Sequence, residues 1–107
     1  EQRLVESGGG LQAPGDSVHL SCQGYGFNFK NYNIRWYRQA PSGRLEWLSY
    51  ISTTSVTTFS PVVEGRATAS RYNSPSVSSL SLNALRPHDS AHYFCAVHTG
   101  TGNPAEL

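Results

Sequence analysis

Turn-forming residues interrupt this chain so often that no long element can form. Gly8-Gly9-Gly10, Pro14-Gly15, Gly24 and Gly26, Pro41-Ser42-Gly43, Gly65, Asn73-Ser74-Pro75 and Pro87 cut the 107 residues into short pieces. Glycine reaches positive φ without a steric penalty, and proline fixes φ and donates no hydrogen bond, so such clusters read as turns. Between them the residues alternate. Val18, Leu20 and Cys22 point one way from the Ser17–Gln23 run, and Ser17, His19 and Ser21 the other. Ile34 and Trp36 share a face, as do Leu80 and Leu82, and Ala91, Tyr93 and Cys95. No stretch keeps a helical period, and there is no repeat, linker or low-complexity tract. Several short strands with regular turns predict an all-β sandwich or barrel. Residues 1–107 read as a single domain.

Both cysteines fall on the apolar face of their own strand. Two buried free thiols in a reducing compartment are one reading; one disulfide in an oxidising compartment is the other. Inward cysteines from two sheets packed about 10 Å apart can meet. A bridge closing so long a loop would remove about 4–5 kcal/mol of unfolded-state freedom in the chain-entropy model. That is large against a domain stability of about 5–15 kcal/mol.

The formal net charge is +1, with 14% charged residues, and the eight Lys and Arg lie singly from Arg3 to Arg86. A nucleic-acid partner is not expected, because polyanion binders gather their basic residues. No apolar run approaches the roughly 20 residues of a membrane span, and no leader precedes Glu1, so direct membrane contact is not expected either. The chain reads as a mature or trimmed product, with any anchor or constant domain beyond Leu107.

Catalytic chemistry finds no site. His19, His88, His92 and His98 are dispersed, with no second ligand at metal spacing, so no metal is expected. No serine sits in a Gly-x-Ser-x-Gly elbow. Gly24-Tyr25-Gly26 and Gly100-Thr101-Gly102 are too short to cradle phosphate. The chain is read as a non-enzyme with no cofactor. No Asn-x-Ser/Thr sequon occurs.

Cys22, Trp36 and the run Asp89-Ser90-Ala91-His92-Tyr93-Phe94-Cys95 resemble the cysteine–tryptophan–cysteine pattern of immunoglobulin domains, with Tyr93 where that family keeps its tyrosine corner. Val5-Glu6-Ser7-Gly8-Gly9-Gly10-Leu11 resembles the opening of antibody heavy-chain variable domains. So do Trp36-Tyr37-Arg38-Gln39-Ala40-Pro41, Leu45-Glu46-Trp47 and Gly65-Arg66. The resemblance runs from Glu1 to about Val97. It implies a V-type two-sheet sandwich with Greek-key topology and one inter-sheet disulfide, Cys22–Cys95, with Trp36 packed against it. It further implies an Arg66–Asp89 ion pair, a first strand kinked at its three glycines, and a secreted or cell-surface, extracellular setting.

The same resemblance implies that three loops at one end bind antigen, whether protein, peptide or another ligand. In the first loop Phe27 and Phe29 are expected inside, leaving Asn28, Lys30, Asn31, Tyr32 and Asn33 outside. The second holds Ser52, Thr53, Thr54, Ser55, Val56 and Thr57, flanked by Tyr50; the third includes His98 and Thr99. Tyr, Ser and Asn supply the rigid amphipathic area and adaptable hydrogen bonds that such loops use.

Tyr37, Gln39, Arg44, Leu45, Trp47 and Phe94 form the expected chain-pairing face, and its apolar members should be covered by a second variable domain or by the chain's own third loop. Tyr37 and Arg44 stand where a valine and a glycine are usual, as in variable domains that work unpaired, whereas Leu45 and Trp47 keep the pairing type. Cys95-Ala96-Val97 lacks the usual basic residue and looks like a T-cell-receptor start, so a heavy-chain-like T-cell-receptor domain is the alternative, ahead of an invariant adhesion or co-receptor module. Ala67, Ala69 and Ser78 replace larger apolar residues, and Val62, Val63 and Tyr72 are the expected fillers. The segment from His98 onward is expected in the third loop or as a remnant, leaving the last strand incomplete; Pro104 cannot donate to a ladder.

Overall fold

The computed structural model describes residues 2–98. They form eight strands: β1 Arg3–Gly8, β2 Val18–Tyr25, β3 Asn33–Gln39, β4 Leu45–Ile51, β5 Thr57–Phe59, β6 Ala67–Tyr72, β7 Val77–Leu82 and β8 His92–His98. All pairings are antiparallel, in two sheets ordered β1-β2-β7-β6 and β5-β4-β3-β8. The chain crosses between sheets after β2, β5 and β7, which makes the sandwich a Greek key, as expected.

Alternation sorts the side chains. Val18, Leu20 and Cys22 of β2 stand opposite Leu82, Leu80 and Ser78 of β7. Across the interior, Ile34 and Trp36 of β3 stand opposite Val97 and Cys95 of β8. Cys22 and Cys95 are joined as a disulfide between the sheets, which settles the choice that spacing left open. Trp36 is fully buried beside Cys95.

The strand β6 departs from expectation. Ala67, Ala69 and Arg71 are its inward set, opposite Leu82, Leu80 and Ser78. Of the three expected fillers only Val63 enters the core, at 1% exposure; Val62 is 39% and Tyr72 59% exposed. The cause is the strand's two-residue period. Arg71 takes the inward place, and that turns Tyr72 to solvent. Ser78, wholly buried, satisfies its hydroxyl by donating to the Ser70 carbonyl at 3.0 Å.

Gly8, Gly9 and Gly10 all have positive φ, and a Cβ on Gly8 would strike the His19 carbonyl oxygen. The chain therefore leaves the edge of β2 here with a backbone only glycine adopts freely. A cleft of about 460 Å³ separates the Gly8–Pro14 run from β8, with Leu20 and Trp36 in its lining. Among the described residues β8 pairs with β3 alone. The expectation for the last strand, including Gly100-Thr101-Gly102 and the segment Asn103 to Leu107, lies outside the described residues. His98 does not begin a loop: it closes β8 opposite Asn33.

A buried ion network closes one end of the sandwich. Arg66 donates through both terminal nitrogens to the Asp89 carboxylate, each at 2.8 Å. Arg38 donates to Asp89 at 2.9 Å, to Glu46 at 2.8 Å and to the Tyr93 hydroxyl at 3.1 Å. Tyr93 donates in turn to the Asp89 carbonyl at 2.7 Å. Burial alone would push the Asp89 carboxyl up. The bonds from Arg66, the Arg86 N–H and Arg38 outweigh it and hold the group well below the usual carboxylate range. Its hydrogen bond to Arg38 likewise lowers Glu46.

Candidate functional site

The strands β4 and β8 both run antiparallel to β3, so the start of β3 and the ends of β4 and β8 meet at one end of the molecule. The pairings of β7 with β2 and β6 bring the Asn73–Ser76 turn to the end of β2, where the Gly24 N–H donates to the Ser76 carbonyl at 2.9 Å. Loops distant in sequence therefore share one surface.

The first loop is pinned by its aromatic residues. Phe29 is buried, its ring centroid 6.2 Å from that of Phe27, and Phe27 meets Tyr32 edge-on at 5.2 Å. Asn28, Lys30 and Asn31 are exposed and Tyr32 is half-buried. Asn33 is a correction. As the first residue of β3 it is buried, and its Oδ1 accepts the Thr53 N–H at 3.0 Å, which ties the first loop to the second.

The second loop is organised by Ser52, whose Oγ accepts the N–H groups of Thr54 and Val56 at 3.2 and 3.0 Å. Thr54, Ser55, Val56 and Thr57 are exposed, although Thr57 already belongs to β5. Ser52 and Thr53 are half-buried, as is Tyr50 on β4. His98 is the second correction: it is buried at the end of β8, because the strand runs further than the sequence pattern implied. Thr99 lies outside the described residues.

Sequence reasoning missed Arg71, although its inward register on β6 was available as a signal. Only 7% exposed, it donates to the carbonyls of Tyr32 and Ser52 at 2.8 Å each and of Phe29 at 2.9 Å. Burial lowers its pKa, yet a guanidinium stays charged. One cation thus joins the backbones of both loops. The Asn73–Ser76 turn was also missed as a neighbour of these loops; Asn73 Oδ1 accepts from Arg71 Nε at 3.2 Å.

The outer face of the β5-β4-β3-β8 sheet carries the second group of residues. Tyr37 stacks on Phe94 with centroids 5.6 Å apart, and His92 stacks on Phe94 at 5.8 Å. Leu45 is 56% exposed, Trp47 is half-buried and Gln39 is exposed. Arg44 extends into solvent with its guanidinium 3.9 Å from the Glu46 carboxylate.

Among the described residues the metal-ligand atoms that cluster are those of Glu6, Cys22 and Cys95. The two sulfurs are joined to each other, so no thiolate remains for a metal. No helix among the described residues is long and apolar enough to cross a membrane. Residues 11–106 match the family model of the immunoglobulin V-set domain. Domains of this kind are, as a rule, extracellular or secreted binding modules rather than enzymes, and they bind ligands or pair with other immunoglobulin domains. The match spans most of the chain and agrees with the two-sheet sandwich and its inter-sheet disulfide: the chain belongs to the immunoglobulin V-set family.

Proposed function

We propose that this is a heavy-chain-type variable domain whose loop end recognises antigen. The observation that carries the reading is the hold of Arg71 on the carbonyls of Phe29, Tyr32 and Ser52. Three hydrogen bonds from one buried cation fix the bases of two loops relative to each other while their tips stay exposed. A surface ordered before contact loses less conformational entropy on binding. Exposed Asn28, Lys30, Asn31, Thr54, Ser55 and Val56 would make the contacts, with Tyr32 and Tyr50 as half-buried aromatic anchors.

A T-cell-receptor setting is the second reading, favoured by Val97. That residue is fully buried where antibody heavy chains place a basic side chain.

The test is selection of ligands from a displayed protein library, followed by a Lys30/Asn31/Thr54/Val56 quadruple alanine variant. Affinity should fall at least about tenfold, roughly 1.4 kcal/mol, with an unchanged melting temperature. A control variant at Ser42 and His88, at the opposite end, should bind as the parent does. Equal losses from both variants would refute the reading.

A further inference from the structure

Strict alternation along β4 would send Trp47 and Tyr50, three residues apart, to opposite faces. The ladder with β3 prevents this: Trp36 stands opposite Ser49 and Tyr37 opposite Trp47, so Leu48 is an extra residue. Leu48 and Ser49 are both buried, and the bulge returns Tyr50 to the outer face beside Trp47. Arg35 lies between them on β3, opposite Tyr50, and Thr58 of β5 stands opposite Tyr50 on the other side. Arg35, Trp47, Tyr50 and Thr58 line an open pocket of about 290 Å³ near the loop end.

The chemistry of this pocket is one-sided. Arg35 Nε and Trp47 Nε1 are buried and find no acceptor among the described residues. A buried donor left unpaired is destabilising, and a ligand acceptor at this place would relieve it. No ion pair to Arg35 occurs among the described residues, and Glu46, the carboxylate on the neighbouring strand, is committed to Arg38. The Tyr50 ring lies 5.4 Å under the guanidinium, which fixes its plane without neutralising it. Two N–H donors and one positive charge, half-sheltered from water, suit a carboxylate. A phosphate dianion would call for more cations.

We propose that Arg35, Trp47, Tyr50 and Thr58 form a carboxylate pocket that takes one Asp or Glu side chain of a bound protein or peptide antigen. Arg35 holds the anion, Trp47 Nε1 donates a second hydrogen bond, and the Thr58 hydroxyl stands at the rim. The proposal rests on the loop end being the recognition surface, and it adds a chemical requirement on what binds there.

Acetate is the probe. In the ¹⁵N–¹H spectrum of the intact chain at constant ionic strength, the Arg35 Nε–H and Trp47 Nε1–H resonances should move along one saturating curve in the millimolar range. Acetamide and chloride should move neither. Arg35→Gln should abolish the Trp47 shift and leave the remaining spectrum in place. A linear drift shared by chloride and acetate, or a curve that survives Arg35→Gln, would overturn the site. Peptides selected on the parent chain supply the second arm. They should carry a fixed Asp or Glu and lose at least about tenfold in affinity for Arg35→Gln. Selected peptides that need the loops but keep their affinity for Arg35→Gln overturn the carboxylate pocket alone. Peptides indifferent to the loop substitutions overturn the recognition reading and leave the acetate result standing.

Discussion

Arg66, Arg38 and the Arg86 N–H all donate to the carboxylate of Asp89, so this buried anion faces the buried Arg38, which Glu46 also pairs, and the half-buried Arg66 at the closed end of the sandwich. Removing the charge in Asp89→Asn leaves Arg66 facing a neutral amide and Arg38 with Glu46 as its remaining carboxylate. Breaking a buried pair in this way costs about 3–5 kcal/mol, a large share of a domain's stability. Urea unfolding of the two proteins at neutral pH measures it. The pH dependence has a definite sign. The folded carboxyl titrates well below its unfolded value of about 3.9, so its contribution is complete above that value and is lost as pH falls toward the folded one. The parent should lose stability steeply below about pH 4, and Asp89→Asn should lose much less over the same interval. Parallel acid limbs would show that other carboxylates set the acid response. The Arg66–Asp89 partnership was legible through resemblance. Arg38 was not, because a pattern that places an arginine on an inward face does not name the carboxylate that meets it.

At the scale of elements, packing at a single glycine decides the shape of the first loop. A Cβ added to Gly24 would lie 2.8 Å from the Phe29 ring and 3.0 Å from that of Phe27. Those rings anchor the loop, and the Gly24 N–H also holds the Asn73–Ser76 turn. Gly24→Ala should therefore displace the rings, cost about 1–3 kcal/mol of stability and weaken binding through the first loop. Calorimetry together with affinity for a selected ligand checks both effects; an unchanged melting temperature would mean that the rings move aside freely. The strand and its inward Cys22 were readable from alternation. The crowding was not, since it depends on how the loop returns across the strand. The bulge at Leu48 shows the same limit. Period two predicts faces correctly until one extra residue shifts the phase, and only the partner strand reveals that shift. His98 and Asn33 were misplaced for a related reason: sequence marks where turn-forming residues begin, whereas the ladder between β3 and β8 continues to that pair.

For the molecule as a whole, association is governed by the outer face around Leu45, Trp47 and Phe94, where Leu45 is exposed and the two rings are half-buried. In a sheet with solvent on one side, apolar residues there invite association. Tyr37 already covers part of the face by stacking on Phe94, and His92 covers another part. Its bulk thus does within one chain what a partner domain would otherwise do, while the exposed Arg44 charge at the margin opposes apolar contact. Leu45 remains largely uncovered. This balance makes Tyr37 the residue to change. Tyr37→Val removes a ring pair worth about 0.5–1.5 kcal/mol. For a domain of this size that lowers the melting temperature by roughly 4–8 °C per kcal/mol. The newly uncovered faces of Phe94 and Trp47 should raise the average mass in light scattering as concentration increases, and adding Leu45→Glu should restore the parent's behaviour. A Tyr37→Val protein that keeps the parent's mass at every concentration would mean that this face is covered by something other than the Tyr37 ring.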